Sequence, residues 1–395
     1  WNLMTFVARS PSFPLASLRR VAVPEALGLL DVSFPDIYEQ LDGVSAAEVL
    51  DRLRFPPEAR HLALEVFARS FFAHPTEFSG GELVGMFHMY FTGSAEGLLF
   101  DVPRDDYDSA LWQPLQDYLR RLGVDIRAGT TVSSVQPAGA GHDVVLSATD
   151  GGAESRLAAD GVVLATELPA LQALLERSPQ LGDAEWRGRI GALTTSPPFV
   201  VWRLWLDRLA APERAPFLGT SGFGPVDNIS LVERLEQHAA AWSAVHGGSV
   251  VELHAYSVGP EWTPESLRVR LRSELERAYP ELVGAAVVHD EWLWRQDCPL
   301  PSTAPWRLRP TVPTPTPGLV LAGDVVRCDY PVALMERAAT TGLLAANALL
   351  RDWGMPGHAL WTVPMDSRFG PWPGRLRRAW PQRGPGQRAS RRRSS

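Results

Sequence analysis

Pro317-Gly318-Leu319-Val320-Leu321-Ala322-Gly323-Asp324, followed by Met335-Glu336-Arg337-Ala338-Ala339-Thr340-Thr341-Gly342, is the stretch on which the fold turns. An apolar run ends in Gly-Asp where a strand would give way to a loop. A helix then opens a few residues later, with its unpaired backbone N–H groups facing that turn. Gly323 would let a ligand approach the backbone, and Asp324 could accept hydrogen bonds from sugar-alcohol hydroxyls. The turn from Met335 to Ala338 would aim N–H donors at a pyrimidine edge that becomes anionic on reduction. Strand–Gly–Asp alone fits any strand-to-helix connection. The Met-Glu-x-Ala-x-x-x-Gly helix after it is what points to a flavin.

Upstream, Ser109 to Leu122 carries Leu111, Trp112, Leu115, Tyr118, Leu119 and Leu122 at helical spacing, with Gly123 placed to end the helix. Val124 to Arg127 alternates as a strand, and Val132 to Val135 and Asp143 to Ala148 read as further strands. After a turn at Asp150-Gly151-Gly152, Gly161 to Thr166 is a continuous apolar run of the kind buried in a parallel sheet. Helix, strand, hairpin and strand in this order form the second half of a three-layer nucleotide-binding domain.

The first hundred residues read as helices. Ser45 caps an amphipathic segment through Leu53; His61 to Phe72 and Glu82 to Thr92 are broadly apolar, as a core or an oily cavity wall would be. From Phe199 to Arg295 the texture changes to Trp-rich alternation (Phe199 to Leu206, Ser249 to Val258, Val287 to Trp294) with a helix from Pro264 to Tyr279. That is a mostly antiparallel second domain, and a Pro-rich run from Pro299 leads back into the Gly-Asp strand. The expected divisions are a helical substrate-domain segment (1–105), a cofactor-domain segment (106–170), an α+β substrate domain (171–310), the returning cofactor-domain segment (311–352) and a basic tail (353–395).

The 395 residues carry a formal charge of −7, unevenly placed. Nine arginines and no acid follow Asp366, so the preceding residues carry −16. Such an end can be drawn to anionic lipid, at about 1 kcal/mol per basic residue near a membrane surface; the plainer reading is a solvated, disordered tail. Every basic residue other than His is Arg, as the chain has no Lys. No run approaches the roughly 20 apolar residues of a spanning helix. Cys298 and Cys328 are isolated, which gives neither a metal site nor a disulfide framework. A cytoplasmic setting is expected, with no metal and no nucleic-acid partner.

A dinucleotide-binding fold ordinarily begins with a strand, G-x-G-x-x-G and a helix. No such sequence occurs here; Gly219 to Gly224 is the nearest and has the wrong spacing. The expectation is that the first βαβ unit, with its pyrophosphate loop, belongs to an upstream portion outside this sequence, and that the chain alone binds its cofactor poorly.

The Gly318–Asp324 and Met335–Gly342 segments, with Gly161 to Thr166 and the Leu122–Val135 region, resemble the FAD-dependent amine oxidase and carotenoid desaturase superfamily. Within it, Trp1 to Pro11, Phe67 to Phe72, Gly93 to Arg104 and Gly323 to Asp329 are most similar to bacterial isorenieratene synthases, the carotenoid ring desaturase/methyltransferases. The resemblance implies an α/β fold, an FAD-binding Rossmann-like three-layer domain interleaved with an α+β substrate domain. It implies FAD contacts at Val132 (adenine), Ala165 and Thr166 (ADP portion), Gly323 and Asp324 (ribityl-pyrophosphate), and Met335, Glu336 and Ala338 (flavin-facing helix). It further implies aromatisation of a β-ionone ring with methyl migration, a hydrophobic carotenoid substrate and contact with the inner face of the cell membrane. Phe87, Tyr90, Phe91, Trp202 and Trp205 are the expected ring pocket, and no catalytic base is assigned. Other members of the superfamily, linear-carotene desaturases and amine oxidases, remain alternatives, as does a non-catalytic flavoprotein fragment; the Lys–water pair of amine oxidases has no Lys to form it. Arg337 stands where the superfamily carries Gly.

Overall fold

The computed structural model describes residues 21–54, 69–94, 101–148, 153–220 and 222–379. Its first segment is helical: α1 (Val23–Gly28), α2 (Asp36–Gln40), α3 (Ala46–Leu53) and α4 (Gly80–Phe87), the last running on into a π-turn at His88–Thr92. Ser45 starts α3 as its sequence requires. Its hydroxyl accepts the Glu48 N–H at 3.2 Å while the Glu48 carboxylate accepts the Ser45 N–H at 2.8 Å, a reciprocal cap that contributes about 1 kcal/mol. Val49, Leu50 and Leu53 pack with Leu83, Val84 and Met86 of α4. Gly80 permits that approach, since a Cβ there would lie 2.6 Å from Val49 Cγ2. Most of the expected helix at His61 to Phe72 lies outside the described residues.

Next come a π-turn (Asp108–Trp112) and α5 (Gln113–Arg121), closed by Gly123 at φ +88°. The apolar stripe is where its spacing puts it, yet no residue of α5 is buried, and Leu111, Trp112, Leu115 and Tyr118 are exposed. Val124 to Arg127, expected as a strand, is not one. A strand needs a neighbour for its backbone groups, and none pairs with it among the described residues. An antiparallel meander follows, of β1 (Thr130–Ala138), β2 (Gly141–Ala148) and β3 (Ser155–Ala159), and then β4 (Val162–Leu164).

Beyond α6 (Leu168–Arg177) and α7 (Ala184–Gly191), the chain builds β5 (Phe199–Leu206), β6 (Phe217–Gly219), β7 (Asn228–Leu231), α8 (Gln237–His246), β8 (Val250–Ala255), α9 (Pro264–Ala278) and β9 (Val287–Arg295). Five of these form an antiparallel sheet in the order β6-β7-β8-β5-β9. Its alternation sorts the faces: Val200, Trp202, Leu204, Val251, Leu253 and Ala255 are buried in a core with Leu267, Leu271 and Leu275 of α9. The residues between them point the other way.

Pro299 to Pro317 returns the chain to β10 (Leu319–Leu321), which pairs in parallel with β4, and then to α10 (Leu334–Asp352). The three residues of β10 are all buried, sharing a core with α6, α10, β1 and β2. The chain therefore visits the second domain and comes back, as its texture predicts. The opposite edge of β4 has no partner strand among the described residues. The basic end departs from expectation. Phe34 N–H donates to Met365 O (3.0 Å), Ser367 N–H donates to Val32 O (2.9 Å), and α11 (Trp372–Ala379) packs against α1. Residues 367–379 are thus part of the folded body and not a solvated tail, because backbone pairing and Pro373 and Gly374 burial anchor them. Among the described residues, no helix is long and apolar enough to cross a membrane.

Candidate active site

Parallel strands β4 and β10 end at the same edge, where Ala322 N–H donates to Leu164 O at 3.0 Å. Ala165 and Thr166 leave one strand, Gly323 and Asp324 the other. Open α/β sheets place ligands outside the carboxyl ends of their strands, and this edge is built for one. Gly323 has φ +137°, a conformation that L side chains avoid, and an added Cβ would meet nothing within 4 Å. Glycine is needed there for backbone geometry, and the space in front is open. The Thr341 hydroxyl accepts the Gly323 N–H at 2.9 Å and lies 3.0 Å from Gly323 O, tying the turn to α10.

Burial pushes the Asp324 carboxyl above the ordinary Asp range; Arg337 and the backbone N–H groups at 324 and 325 offset this only in part. A carboxylate kept partly out of water, with no side-chain hydrogen-bond donor among the described residues, suits ligand hydroxyls. α10 opens at Ala333 without a side-chain cap, so its first-turn N–H groups remain available. Leu334 before Met335 has φ +52°, a strain of about 1–3 kcal/mol of the kind found at functional sites. Met335 is 68% exposed despite being apolar. Val132 is exposed beside a β-bulge in β1. Open backbone, a half-buried acceptor and free amide donors fit the ribityl chain and pyrimidine edge of a flavin.

Arg337 does not obstruct this face. It turns inward, 3% exposed, and donates to Glu82 of α4 at 2.7 Å and to Val332 O at 2.8 Å. Arg309 pairs with the other Glu82 oxygen. Burial alone would raise the Glu82 pKa, but Arg337 and Arg309 hold it below the usual value. Both guanidinium groups also lie over the Trp306 ring, which stacks on Tyr38 at 4.1 Å. The cluster joins α4, the Pro-rich return and α10.

Beside it lies a mainly apolar cavity of about 420 Å³, lined by Phe71, Leu193, Leu300 and Leu308 and reaching Asp324 and Arg337. Its size falls within the range of small-molecule sites. Cys298, next to Pro299 of the lining, has its thiol pushed up to about 12 by burial and by Asp297 and Asp324, so it stays protonated. Cys328 is buried, its thiol also raised by burial.

The structure does not gather the expected ring-pocket residues. Tyr90 lies within electrostatic reach of Glu336 of α10, and Phe87 packs against Phe91 at 4.9 Å in the same helical stretch. Trp202 instead points into the core under α9, bonded to Asp290 at 2.9 Å, and Trp205 points to the opposite face against Trp242 and Val250. Adjacent alternation puts two tryptophans three residues apart on different faces. Phe71 falls in the segment expected as a core or cavity wall, whereas Leu193, Leu300 and the Glu82–Arg309 pair carry no local signal because each partner comes from a segment distant in sequence.

Helix α10 and the strand–Gly–Asp turn, in a chain whose sequence matches a flavin family, mark an FAD-dependent oxidoreductase. Residues 7–350 match the family of flavin containing amine oxidoreductases, and the chain belongs to that family. It is 51% identical over 368 residues to a carotenoid phi-ring synthase of Streptomyces griseus, covering 93% of this chain and 70% of that protein. A carotenoid phi-ring synthase of Chlorobaculum tepidum is 34% identical over 249 residues, 62% of this chain and 37% of that protein. Among solved structures, cyclohexylamine oxidase from Brevibacterium oxydans superimposes with a TM-score of 0.55 at 13% identity, covering 87% of this chain and 77% of that one. That last likeness is one of fold.

Proposed function

We propose that this chain carries the ring-converting chemistry of carotenoid biosynthesis, desaturating and aromatising the β-ionone ring of β-carotene with methyl migration to give isorenieratene-type products. The observation that carries the reading is the apolar cavity that opens on Asp324, in a chain 51% identical to the Streptomyces griseus carotenoid phi-ring synthase. FAD, when bound, supplies the hydride acceptor. Gly323, Asp324 and the first turn of α10 hold it, and Val132, Ala165 and Thr166 are assigned to its ADP portion. The α10 amides favour negative charge at the pyrimidine edge.

Phe71, Leu193, Leu300 and Leu308 keep water from the cationic ring carbon through which a methyl group migrates. Tyr90 and Phe87 offer aromatic faces near the start of α10, where attraction to a desolvated cation reaches about 2 kcal/mol. Arg309 and Arg337 would repel that cation if free; pairing with Glu82 reduces this. An apolar substrate resident in bilayers supports contact with a membrane surface, which this reading assigns to the inner face of the cell membrane.

Pigment analysis of β-carotene-producing cells expressing this chain within its complete coding sequence tests the reading. Aromatic-ring carotenoids are the expected outcome. Unchanged β-carotene alongside flavin-loaded protein would reassign the substrate.

A further inference from the structure

Helix α11 has two faces of opposite kind. Pro373 and Gly374 are buried where the helix packs on α1, and a side chain at Gly374 would run into the Asp31 carboxylate, so glycine lets the helix seat. At about 3.6 residues per turn, Trp372, Leu376 and Ala379 share the opposite face. All three are exposed, and the exposed Arg375 and Arg378 flank them. Arg377, on the seated side, lies 3.8 Å from Glu25, whereas Arg375 and Arg378 have no acidic partner among the described residues.

The residues leading into α11 continue the pattern. Trp361 is 94% exposed, more than any other large apolar side chain among the described residues, and Phe369 and Trp372 are 50% and 60% exposed. No acid follows Asp366, and the sequence beyond α11 adds Arg383, Arg388, Arg391, Arg392 and Arg393. An apolar helical stripe with basic flanks and exposed tryptophans is the composition of an element that lies in a bilayer interface. The residues up to Asp366 carry −16, which repels an extended polyanion such as RNA from most of the surface. A flat anionic bilayer meets one face only, and charges beyond about 10 Å from it are screened. The exposed apolar stripe of α5 fits such a surface less well, because Asp105, Asp106, Asp108 and Asp117 offset Arg120 and Arg121 around it. The C-terminal segment is also fastened to the π-turn that extends α4. His88 Nε2 lies 2.8 Å from Pro364 O, and Arg368 donates to Gly93 O. Tyr90 of that turn is within electrostatic reach of Glu336, so contacts run from the basic face to α10.

We propose that residues 361–379 form a docking surface for an anionic phospholipid bilayer. Trp361, Phe369, Trp372 and Leu376 enter the headgroup region, and Arg375 and Arg378 pair with lipid phosphates. The purpose of this surface rests on the ring-converting function above, since seating here gives the enzyme access to a substrate dissolved in the acyl layer. The seating itself depends on surface charge and apolar area and needs neither carotenoid nor turnover.

The test sediments the purified product of the complete coding sequence with carotenoid-free vesicles, either phosphatidylglycerol mixed equally with phosphatidylcholine or phosphatidylcholine alone. Binding to the mixed vesicles and little to the neutral ones is expected. Arg375→Gln combined with Arg378→Gln should lower the partition coefficient by about 30-fold at low salt, about 5-fold for each basic residue removed. High salt should close that gap. Trp372→Ser should weaken binding at both salts, because apolar burial is not screened. Melting temperature and flavin content are read alongside; if the paired arginine variant does not fold, Trp361→Ser probes the same surface at a side chain free of packing. Wild type that ignores anionic vesicles, or binds them equally after the arginine and tryptophan substitutions, overturns the proposal. So does a loss confined to replacing the arginines from Arg383 onward by Gln, or retention on RNA without vesicle binding. Vesicle binding by a protein that leaves β-carotene unchanged in cells would keep the surface and remove the ring-converting reading. Aromatic products without vesicle binding would do the reverse.

Discussion

Arg337 of α10 donates to Glu82 of α4 across 2.7 Å, and both side chains are almost wholly buried. Arg309 binds the same carboxylate. Removing one partner of a buried pair strands the others, so Glu82→Gln is expected to destabilise by about 3–5 kcal/mol. Chemical denaturation of the purified protein measures it. Because Glu82 is depressed below its ordinary 4.5, its contribution is complete above that pH and declines as pH falls through the folded value. The wild-type advantage over Glu82→Gln should shrink accordingly in acid.

Asp324 has the opposite sign. Its folded pKa lies above 3.8, so burial of the charge costs stability at neutral pH, and that cost disappears as pH falls and the carboxyl protonates in both states. Asp324→Asn should melt higher than wild type at pH 7 in the apoprotein, with the lead shrinking on acidification and gone below pH 3.8. The same substitution should weaken FAD binding by about 1.5–3 kcal/mol, the scale of a charge-assisted hydrogen bond, seen in a fluorescence titration. A higher melt with unchanged FAD affinity would show that Asp324 does not hold the cofactor.

Gly323→Ala separates backbone from space. The open volume before the turn accommodates a methyl group, but φ +137° does not. The expected cost is about 1–3 kcal/mol, with weakened FAD affinity as the turn relaxes away from Thr341. A variant as stable as wild type would mean that the turn tolerates side chains.

The parts of this fold written in local sequence were legible. Ser45 announces α3, the Pro264–Tyr279 segment announces α9, and the run Leu319–Leu321 before Gly323 announces a buried strand. What escaped depends on partners far along the chain. Val124 to Arg127 alternates like a strand but has no neighbour to pair with among the described residues. Trp202 and Trp205 look alike in sequence and face opposite ways because strand parity separates them. Arg337 looks like an intrusion on the cofactor turn until Glu82, 255 residues earlier, is seen beside it.

The cavity gives a steric prediction. Leu300 lines it from the Pro-rich return, while Asp324, Val325 and Leu334 line it from the Gly323 turn and the start of α10. Leu300→Trp should fill part of the 420 Å³ and exclude a bulky ring. Flavin content should remain while aromatic products fall at least 10-fold, an effect of about 1.4 kcal/mol or more on ring binding. Unaltered products would place the ring elsewhere, with the Phe87–Tyr90 region the next surface to probe.

His142 on β2 is 2% exposed, and neither ring nitrogen has a hydrogen-bond partner among the described residues. Its Cε1 would lie 3.3 Å from a Cβ at Gly318, so the imidazole is packed against the turn that leads into β10. Burial lowers its pKa below 6.5, which means that the unfolded chain takes up a proton before the folded one. Stability linked to this group is present above 6.5 and falls as pH drops from there toward the folded value. His142→Phe removes both the acid sensitivity and the unsatisfied nitrogens while keeping a flat ring in the same space. Leaving a buried polar atom unpaired costs about 1–3 kcal/mol, so the variant should be more stable than wild type at neutral pH and should lead by a wider margin near pH 5. Denaturation at the two pH values reads the difference. A margin that does not grow on acidification would mean that His142 titrates alike in the folded and unfolded chains, and a destabilised variant would mean that its nitrogens are satisfied through ordered water at the turn into the cofactor strand.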